Sequence, residues 1–349
     1  MRIINKFALR LVGVICAGSL QAGFNVEEIP ESGRISLTEK QSLGGCDTMS
    51  PSDHDGFSGK ITIGNSSFRV GNINTMAQGA MCGFEKERTN LLKNIVSEHE
   101  NFTDDRHKVI SKKCADVDLL FTQEFKSGRK DPAEFAAKFS KIHQETGNSA
   151  LLYKKVDNNF FGNAVFWNPL KFNVEAVEAV GKALPLDNVA SNSFNRHTSE
   201  QNTQKGRYLF VKVTDLGTEE TFYVLNVHLL WIRDVKMYDP TVTGEAREEV
   251  INAVTARRAK MASALLEIIQ NEAYGGKIAI LGDFNDDLSK VLEGSPEVES
   301  VKAYVLKDSA VNVSMPNNKD TTDGIIVGAN VKISFEAANA DANVNATSE

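Results

Sequence analysis

Four apolar runs in this sequence end alike, each handing over to a polar residue capable of chemistry. "FRVGNIN" closes on Asn74, "DVDLLFTQE" on Glu124, "FYVLNVH" on His228, and "IAILGDFN" on Asp283 and Asn285. Short runs rich in Val, Ile, Leu and Phe read as buried strands. A rigid sheet aims the side chains at its strand ends into a cleft. Fold and function are therefore constrained together: a layered, strand-rich protein whose strand ends converge on one polar site.

The residue types form a coherent set. Glu124 is a hard oxygen ligand suited to Mg²⁺ or Mn²⁺. Asp283 can orient or deprotonate a water, and His228 can supply a proton or stabilise charge. Asn74 and Asn285 can hold metal-bound water or a phosphate oxygen. Together they suit metal-assisted hydrolysis of a phosphate ester. Taken singly, each has an ordinary explanation. A Glu after a strand is usually a solvated turn residue, and a lone His is usually a satisfied, partly buried one. Gly-Asp-x-Asn is a common turn composition.

The rest of the chain fills in a layered α/β architecture. Its 349 residues allow one large domain or two modest ones, and 41% hydrophobic content is enough for a core. "KITIGNSSFRVGNIN" predicts a hairpin around an Asn-Ser turn, and residues 85–115 predict one or two amphipathic helices. "DVDLLF", "NAVFW" (163–167) and "DGIIV" (323–327) predict strands, and "YLFVKV" with "FYVLNVHLLW" predicts a hairpin. Over residues 245–270, Val250, Val254, Met261, Leu265 and Ile268 share one helical face, and Gly275-Gly276 closes the helix. Residues 23–60 are rich in Gly, Ser, Asp and Glu with weak periodicity, and are expected to form a loose lead-in or a small N-terminal decoration before a domain over 61–349. The tail from Phe335 onward is small, polar and poorly patterned, and is expected to be frayed or disordered.

The N-terminus reads as a secretory signal peptide over residues 1–22: Arg2, Lys6 and Arg10 precede a short apolar run, Leu11 to Leu20, and small residues follow. The mature protein is then expected to be secreted or periplasmic, with no stable membrane anchor. Its cysteines would be Cys46, Cys82 and Cys114, an odd count that permits at most one disulfide. No C-x-x-C occurs, so a structural zinc site is not indicated. The net charge of -7 disfavours passive binding to a polyanion but leaves room for a nuclease with a local basic groove or a bound metal.

In their order, these motifs resemble the endonuclease/exonuclease/phosphatase superfamily. The resemblance runs from about Phe68 to Val327. "FRVGNINT" is similar to the first family strand, with Asn74, and "DVDLLFTQE" to the strand ending in Gln-Glu, with Glu124 as metal ligand. "GNAVFWNP" is similar to the strand that backs the site, and "NVHLL" to the strand carrying the first catalytic histidine, His228. "LGDFND" is similar to the family's most specific motif, which makes Asp283 the water-orienting base and Asn285 a phosphate contact. "TDGIIV" resembles the strand whose Asp, here Asp323, holds the second histidine.

The resemblance implies a four-layer α/β sandwich, two packed, mixed and mostly antiparallel sheets flanked by helices. It also implies Mg²⁺- or Mn²⁺-dependent hydrolysis by a monomer. A nuclease is the first expectation. A phosphoinositide or inositol phosphatase, or a sphingomyelinase-type phosphodiesterase, is the second. The substrate would accordingly be nucleic acid, or a phosphorylated lipid or small molecule. Arg207, with Arg196 and His197, precedes the His228 strand in a loop placed to touch a substrate phosphate, and Asn163 is placed beside the cleft. Arg258 is expected in a structural ion pair and Asp286 and Asp287 in a solvated turn. The connection over 231–249 is either a specificity loop or a solvated insertion. One departure stands out. The family ends with Ser-Asp-His and a final strand, and no His follows Asp323 here. Either the histidine lies beyond Glu349, or the chain is a binding protein of the same fold with impaired hydrolysis.

Overall fold

The computed structural model describes residues 24–39, 41–43, 46–49, 51–52, 54–75, 105–124, 132–145, 152–155, 162–177, 184–194, 201–230, 244–311 and 319–336. The strands of its two principal sheets are β1 (Val26–Glu28), β2 (Arg34–Ile35), β3 (Gly56–Ile63), β4 (Ser66–Asn74), β5 (Leu119–Gln123), β6 (Leu152–Lys155), β7 (Ala164–Trp167), β8 (Phe172–Ala176), β9 (Tyr208–Asp215), β10 (Thr221–His228), β11 (Ile278–Asp283), β12 (Lys302–Leu306), β13 (Asp323–Val327) and β14 (Lys332–Ser334). The helices are α1 (105–113), α2 (Pro132–Glu145), α3 (Glu245–Ile269) and α4 (Leu288–Leu292).

Among the described residues, each principal sheet has seven strands. One runs β1-β12-β13-β11-β10-β9-β8. The other runs β2-β3-β4-β5-β7-β6, with β14 sharing the outer edge of β3 with β2. Pairing is mostly antiparallel. The exceptions are β1/β12, β10/β11 and β4/β5, which run parallel.

Alternate residues of the central strands go to opposite faces, and both faces are covered, so those strands read as unbroken apolar runs. On β11, Ala279 and Leu281 enter the core between the sheets, while Ile278 and Ile280 face the core shared with α3 and α4. On β5, Leu119 and Phe121 enter the central core, while Leu120 packs with Ile110, Cys114 and Val117 at the end of α1. Phe68 of β4 stacks on Phe222 of β10 across the sheets, with centroids 4.7 Å apart. Three apolar layers therefore separate four structural layers, the expected sandwich. The α3 face is also as expected: Val254, Met261, Leu265 and Ile268 are buried, with Val250 partly buried beside them.

The expectation of a loose lead-in over 23–60 is corrected. Phe24 enters the α3-side core, Ile29 the central core, and Ile35 and Leu37 the α1-side core. Between them, β1 extends one sheet and β2 the other, so this segment staples the two sheets together. Its apolar residues serve different layers in turn, so no period of 2 or 3.6 forms in the sequence. β3 and β4 form the predicted hairpin, but the turn is Gly64-Asn65, where Gly64 takes a φ of 55°. Cys114 is free and buried, and burial pushes its thiol up to about 12, so it is chemically quiet. Cys82 lies outside the described residues. Among the described residues no helix is long and apolar enough to cross a membrane.

Two buried histidines on α1 and α2 make stability fall in acid. Burial holds His107 well below its ordinary value of 6.5, helped by Arg106 and Lys138, and burial brings His143 down to about 4. Both are neutral in the folded state at pH values where the unfolded chain already binds protons. The stability present above pH 6.5 is therefore lost as pH falls toward 4. The urea midpoint is expected to drop between pH 7.5 and 4.5, and His143→Gln to flatten that drop. An identical slope in the variant would remove His143 from the account.

Candidate active site

The strand registers bring the polar ends of both sheets to one side of the sandwich. Asn74 pairs with Gln123 at the end of the parallel β4/β5 ladder. His228 pairs with Asp283 at the end of β10/β11, and Asp283 with Asp323 across β11/β13. The two sets meet between the sheets. Asn74 Nδ2 donates to Asp283 Oδ2 at 3.0 Å and lies 3.5 Å from Glu124 Oε1. His228 Nε2 stands 3.5 Å from Glu124 Oε1 and 3.6 Å from Asp283 Oδ2. Asn74, Glu124, His228, Asp283 and Asp323 thus surround one point.

Beneath them lies an amide network that sequence reasoning did not anticipate. Gln123 Nε2 donates to Asn72 Oδ1 at 2.7 Å and, across the sheets, to Asn226 Oδ1 at 2.6 Å. Asn226 Nδ2 donates to the carbonyls of Thr122 (3.0 Å) and Ala164 (3.1 Å). Asn163 is buried in the same network and donates to the Asn226 carbonyl at 2.7 Å, so it ties the sheets together rather than lining the cleft. Buried polar groups held this way fix one register of sheet on sheet, because any slip leaves them unpaired.

The missing histidine comes from the front of the chain. Residues 52–54 read Ser-Asp-His. His54 Nδ1 lies 2.9 Å from Asp323 Oδ2, and its Nε2 lies 3.9 Å from Asp283 Oδ2. Asp323 has not lost its partner. The triplet and the strand after it, β3, precede the first family-like strand instead of following the last. β3 nevertheless pairs with β4. The order of these segments in the chain thus differs from the order that the resemblance implies. The signal was present as "PSDH", but in a segment read as lead-in. Asp53 lies outside the described residues.

The Gly-Asp-x-Asn turn is built to present Asp283. Gly282 has a φ of 140°, and a Cβ there would sit 2.0 Å from the Val227 carbonyl oxygen, so only glycine lets β10 and β11 approach this closely. Asn285 N–H donates to Asp283 Oδ1 at 2.8 Å, and its side-chain amide donates to the Leu229 carbonyl at 2.8 Å and to Asp283 Oδ2 at 3.3 Å. Glu124 and Asn285 both hold left-handed φ values, 55° and 51°. Such strained backbone in non-glycine residues clusters at functional sites.

Asp286 is not a solvated turn residue. It is buried and takes a bidentate pair from Arg258 on α3, at 2.7 and 2.6 Å. Asp287 caps α4, accepting Ser289 N–H at 3.0 Å. Arg207 lies partly buried, and its backbone carbonyl accepts His228 N–H at 2.8 Å. Arg196, His197 and the 231–243 part of the long connection lie outside the described residues.

The site gathers three carboxylates, Glu124, Asp283 and Asp323. Asp283 is 1% exposed, and burial raises its pKa, with Asp323 and Glu124 pushing the same way against the opposing pull of His54. Burial, then Arg207 and His54, brings His228 down to about 3, so its ring is neutral. Three carboxylates therefore converge beside neutral amides, the neutral ring of His228 and the ring of His54, and Asp323 Oδ1 has no hydrogen-bond partner among the described residues. Two neighbouring sets can hold a divalent ion: Glu124 with Asn74, and His54, Asp283 and Asp323, whose ligand atoms lie within 4.8 Å of one another. In the second set, His54 and Asp323 already share a hydrogen bond, whereas Glu124 offers carboxylate oxygens of the kind that Mg²⁺ prefers.

No protein-family model matches the chain, and no curated protein matches it. Similar solved structures include D. rerio TDP2 complexed with single-strand DNA product, at 13% identity over 74% of this chain and 83% of that one, TM-score 0.39. The human Nocturnin catalytic domain with bound sulfate is 14% identical over 64% and 74% of the two chains, TM-score 0.33. An endonuclease/exonuclease/phosphatase family protein from Bacteroides thetaiotaomicron is 14% identical over 76% and 96%, TM-score 0.36.

Proposed function

We propose that the protein is a metal-dependent phosphoesterase, and within that class a nuclease that hydrolyses phosphodiester bonds. One observation carries this: Asp283 Oδ2 is flanked by the Nε2 atoms of two imidazoles, His228 at 3.6 Å and His54 at 3.9 Å. A carboxylate whose burial raises its proton affinity suits a general base, and two imidazoles beside it suit the charge that develops on a phosphoryl oxygen. Asp283 would take the proton of an attacking water. His228, neutral, would donate one hydrogen bond to the phosphoryl group. Asp323 would hold the Nδ1 side of His54 so that Nε2 faces the same group. Asn74 and Asn285 would keep Asp283 in place, and the guanidinium of Arg207 would lie near the phosphate. Glu124 with Asn74 would hold Mg²⁺ or Mn²⁺, which when bound neutralises charge on the phosphate.

The silent-binding alternative rests on an absent second histidine, and the His54–Asp323 contact favours the enzyme reading over it. The signal-peptide pattern supports secretion or export to the periplasm, although residues 1–22 lie outside the described residues. The testing experiment is an assay of full-length protein with Mg²⁺ or Mn²⁺ against plasmid DNA, RNA, phosphoinositides and sphingomyelin, with Glu124→Ala as a control. DNA or RNA cleavage with a weakened metal titration in Glu124→Ala is expected. Turnover of none of the four substrates would end the phosphoesterase reading, and turnover of lipids alone would end the nuclease reading.

A further inference from the structure

The loop that carries His54 is gripped from outside the site by a single cation. Asp55, the next residue, is 3% exposed. Its Oδ1 accepts the backbone N–H groups of Leu37 at 2.7 Å and Thr38 at 2.8 Å, and its Oδ2 accepts Arg34 Nη1 at 2.9 Å. The other arm of the same guanidinium, Nη2, donates to the Lys307 carbonyl at 2.6 Å. Lys307 opens the turn that leads from β12 to Ser309. Ser309 in turn holds the backbone on both sides of the dyad. Its carbonyl accepts Asp55 N–H at 2.7 Å, and its hydroxyl accepts Thr322 N–H at 3.1 Å and Asp323 N–H at 3.2 Å. The loop is fixed further by Ser52, whose hydroxyl donates to the Asn74 carbonyl at 2.7 Å and accepts His54 N–H at 3.1 Å.

We propose that Arg34 is a positioning residue for the His54–Asp323 dyad, acting through Asp55 on the His54 loop and through the 307–309 turn on Asp323. Its kinetic consequence rests on the phosphoesterase reading; its structural consequence does not. The planar fork of a guanidinium presents two donors in fixed directions and spans two acceptors at once, which a lysine ammonium does not reproduce. The Arg34 side chain is 14% exposed, so the pair is shielded from water and salt. Its third contact, Nε to Glu31 at 3.0 Å, is to a side chain 81% exposed and adds little. Neither Arg34 nor Asp55 is among the residues that surround Asp283. Removing the guanidinium would leave a buried carboxylate one residue from His54 short of its countercharge, and the loop would shift to rehydrate it.

The test uses full-length Arg34→Met, Arg34→Lys and Asp55→Asn. Two quantities are read: steady-state kinetics on bis(p-nitrophenyl) phosphate, and the downfield proton resonance of the His54 Nδ1–H···Asp323 hydrogen bond, assigned by its loss in His54→Gln. Arg34→Met is expected to lower kcat by on the order of tenfold to a hundredfold with little change in KM, because the dyad is displaced and binding is not. The downfield resonance should broaden or vanish while circular dichroism shows a folded protein. Arg34→Lys should fall between wild type and Arg34→Met, and Asp55→Asn should follow Arg34→Met. A folded Arg34→Met with wild-type kcat and a wild-type resonance overturns the proposal, as does a rise in KM alone. If Arg34→Met does not fold, Arg34→Lys decides by the same two readouts. If wild type hydrolyses no phosphodiester, the phosphoesterase reading fails separately, and the resonance alone decides the positioning role.

Discussion

Asp283→Asn is expected to lower kcat/KM on a phosphodiester by about 10³-fold, the scale of losing a general base together with its electrostatic role. The same substitution is expected to leave the protein as stable as wild type or more so. The carboxylate is 1% exposed and shares its surroundings with Glu124 and Asp323, so its charge is held against the preference of the fold. An amide keeps the shape, still accepts the Asn285 N–H, and can pair with a flipped Asn74 amide. Each kcal/mol gained would raise the unfolding midpoint by roughly 1–2 °C for a chain of this size. Loss of activity with gain of stability is the signature of a site that stores unfavourable charge for function. A variant as active as wild type, or one that loses both activity and several degrees of stability, would contradict the role given to Asp283.

His54→Ala is expected to lower kcat by about 10²- to 10³-fold, and a His54→Ala/Asp323→Ala double variant to be scarcely worse than either single one, because residues that act as a unit lose their function once. The imidazole and carboxylate lie 2.9 Å apart. A double-mutant cycle measures this directly. Multiplicative losses would mean that Asp323 acts on its own, for example as a metal ligand. The set His54, Asp283 and Asp323 would then be the ion site. Wild-type kcat in His54→Ala would mean that the front of the chain does not complete the site at all.

Much of the site was legible because central strands advertise themselves. "IAILGD" and "DGIIV" are buried along their whole length, and a polar residue ending such a run has to emerge at a sheet edge. The α3 face was legible for a similar reason, since one face of one helix serves one core. What failed were residues whose surroundings come from elsewhere in the chain. Asp286 looks like a solvated acid until Arg258 is brought to it by α3. Asn163 looks like a cleft residue until Asn226 comes across from the opposite sheet. The 24–39 segment looks unstructured because its apolar residues are divided among three cores.

By itself, the sequence determined which chemical groups stand at strand ends, because continuous apolar runs place strands and strand ends place Asn74, Glu124, His228, Asp283 and Asp323. Only the tertiary structure decided which histidine meets Asp323. His54 lies 269 residues away along the chain, yet their side chains meet at 2.9 Å. That meeting is set by the hairpin of β3 with β4 and by the ladders from β10 through β11 to β13, together with the packing of one sheet on the other. Register and sheet packing fix distances in space whatever the separation of the segments in the chain, so residues near its front and its end can meet at one point.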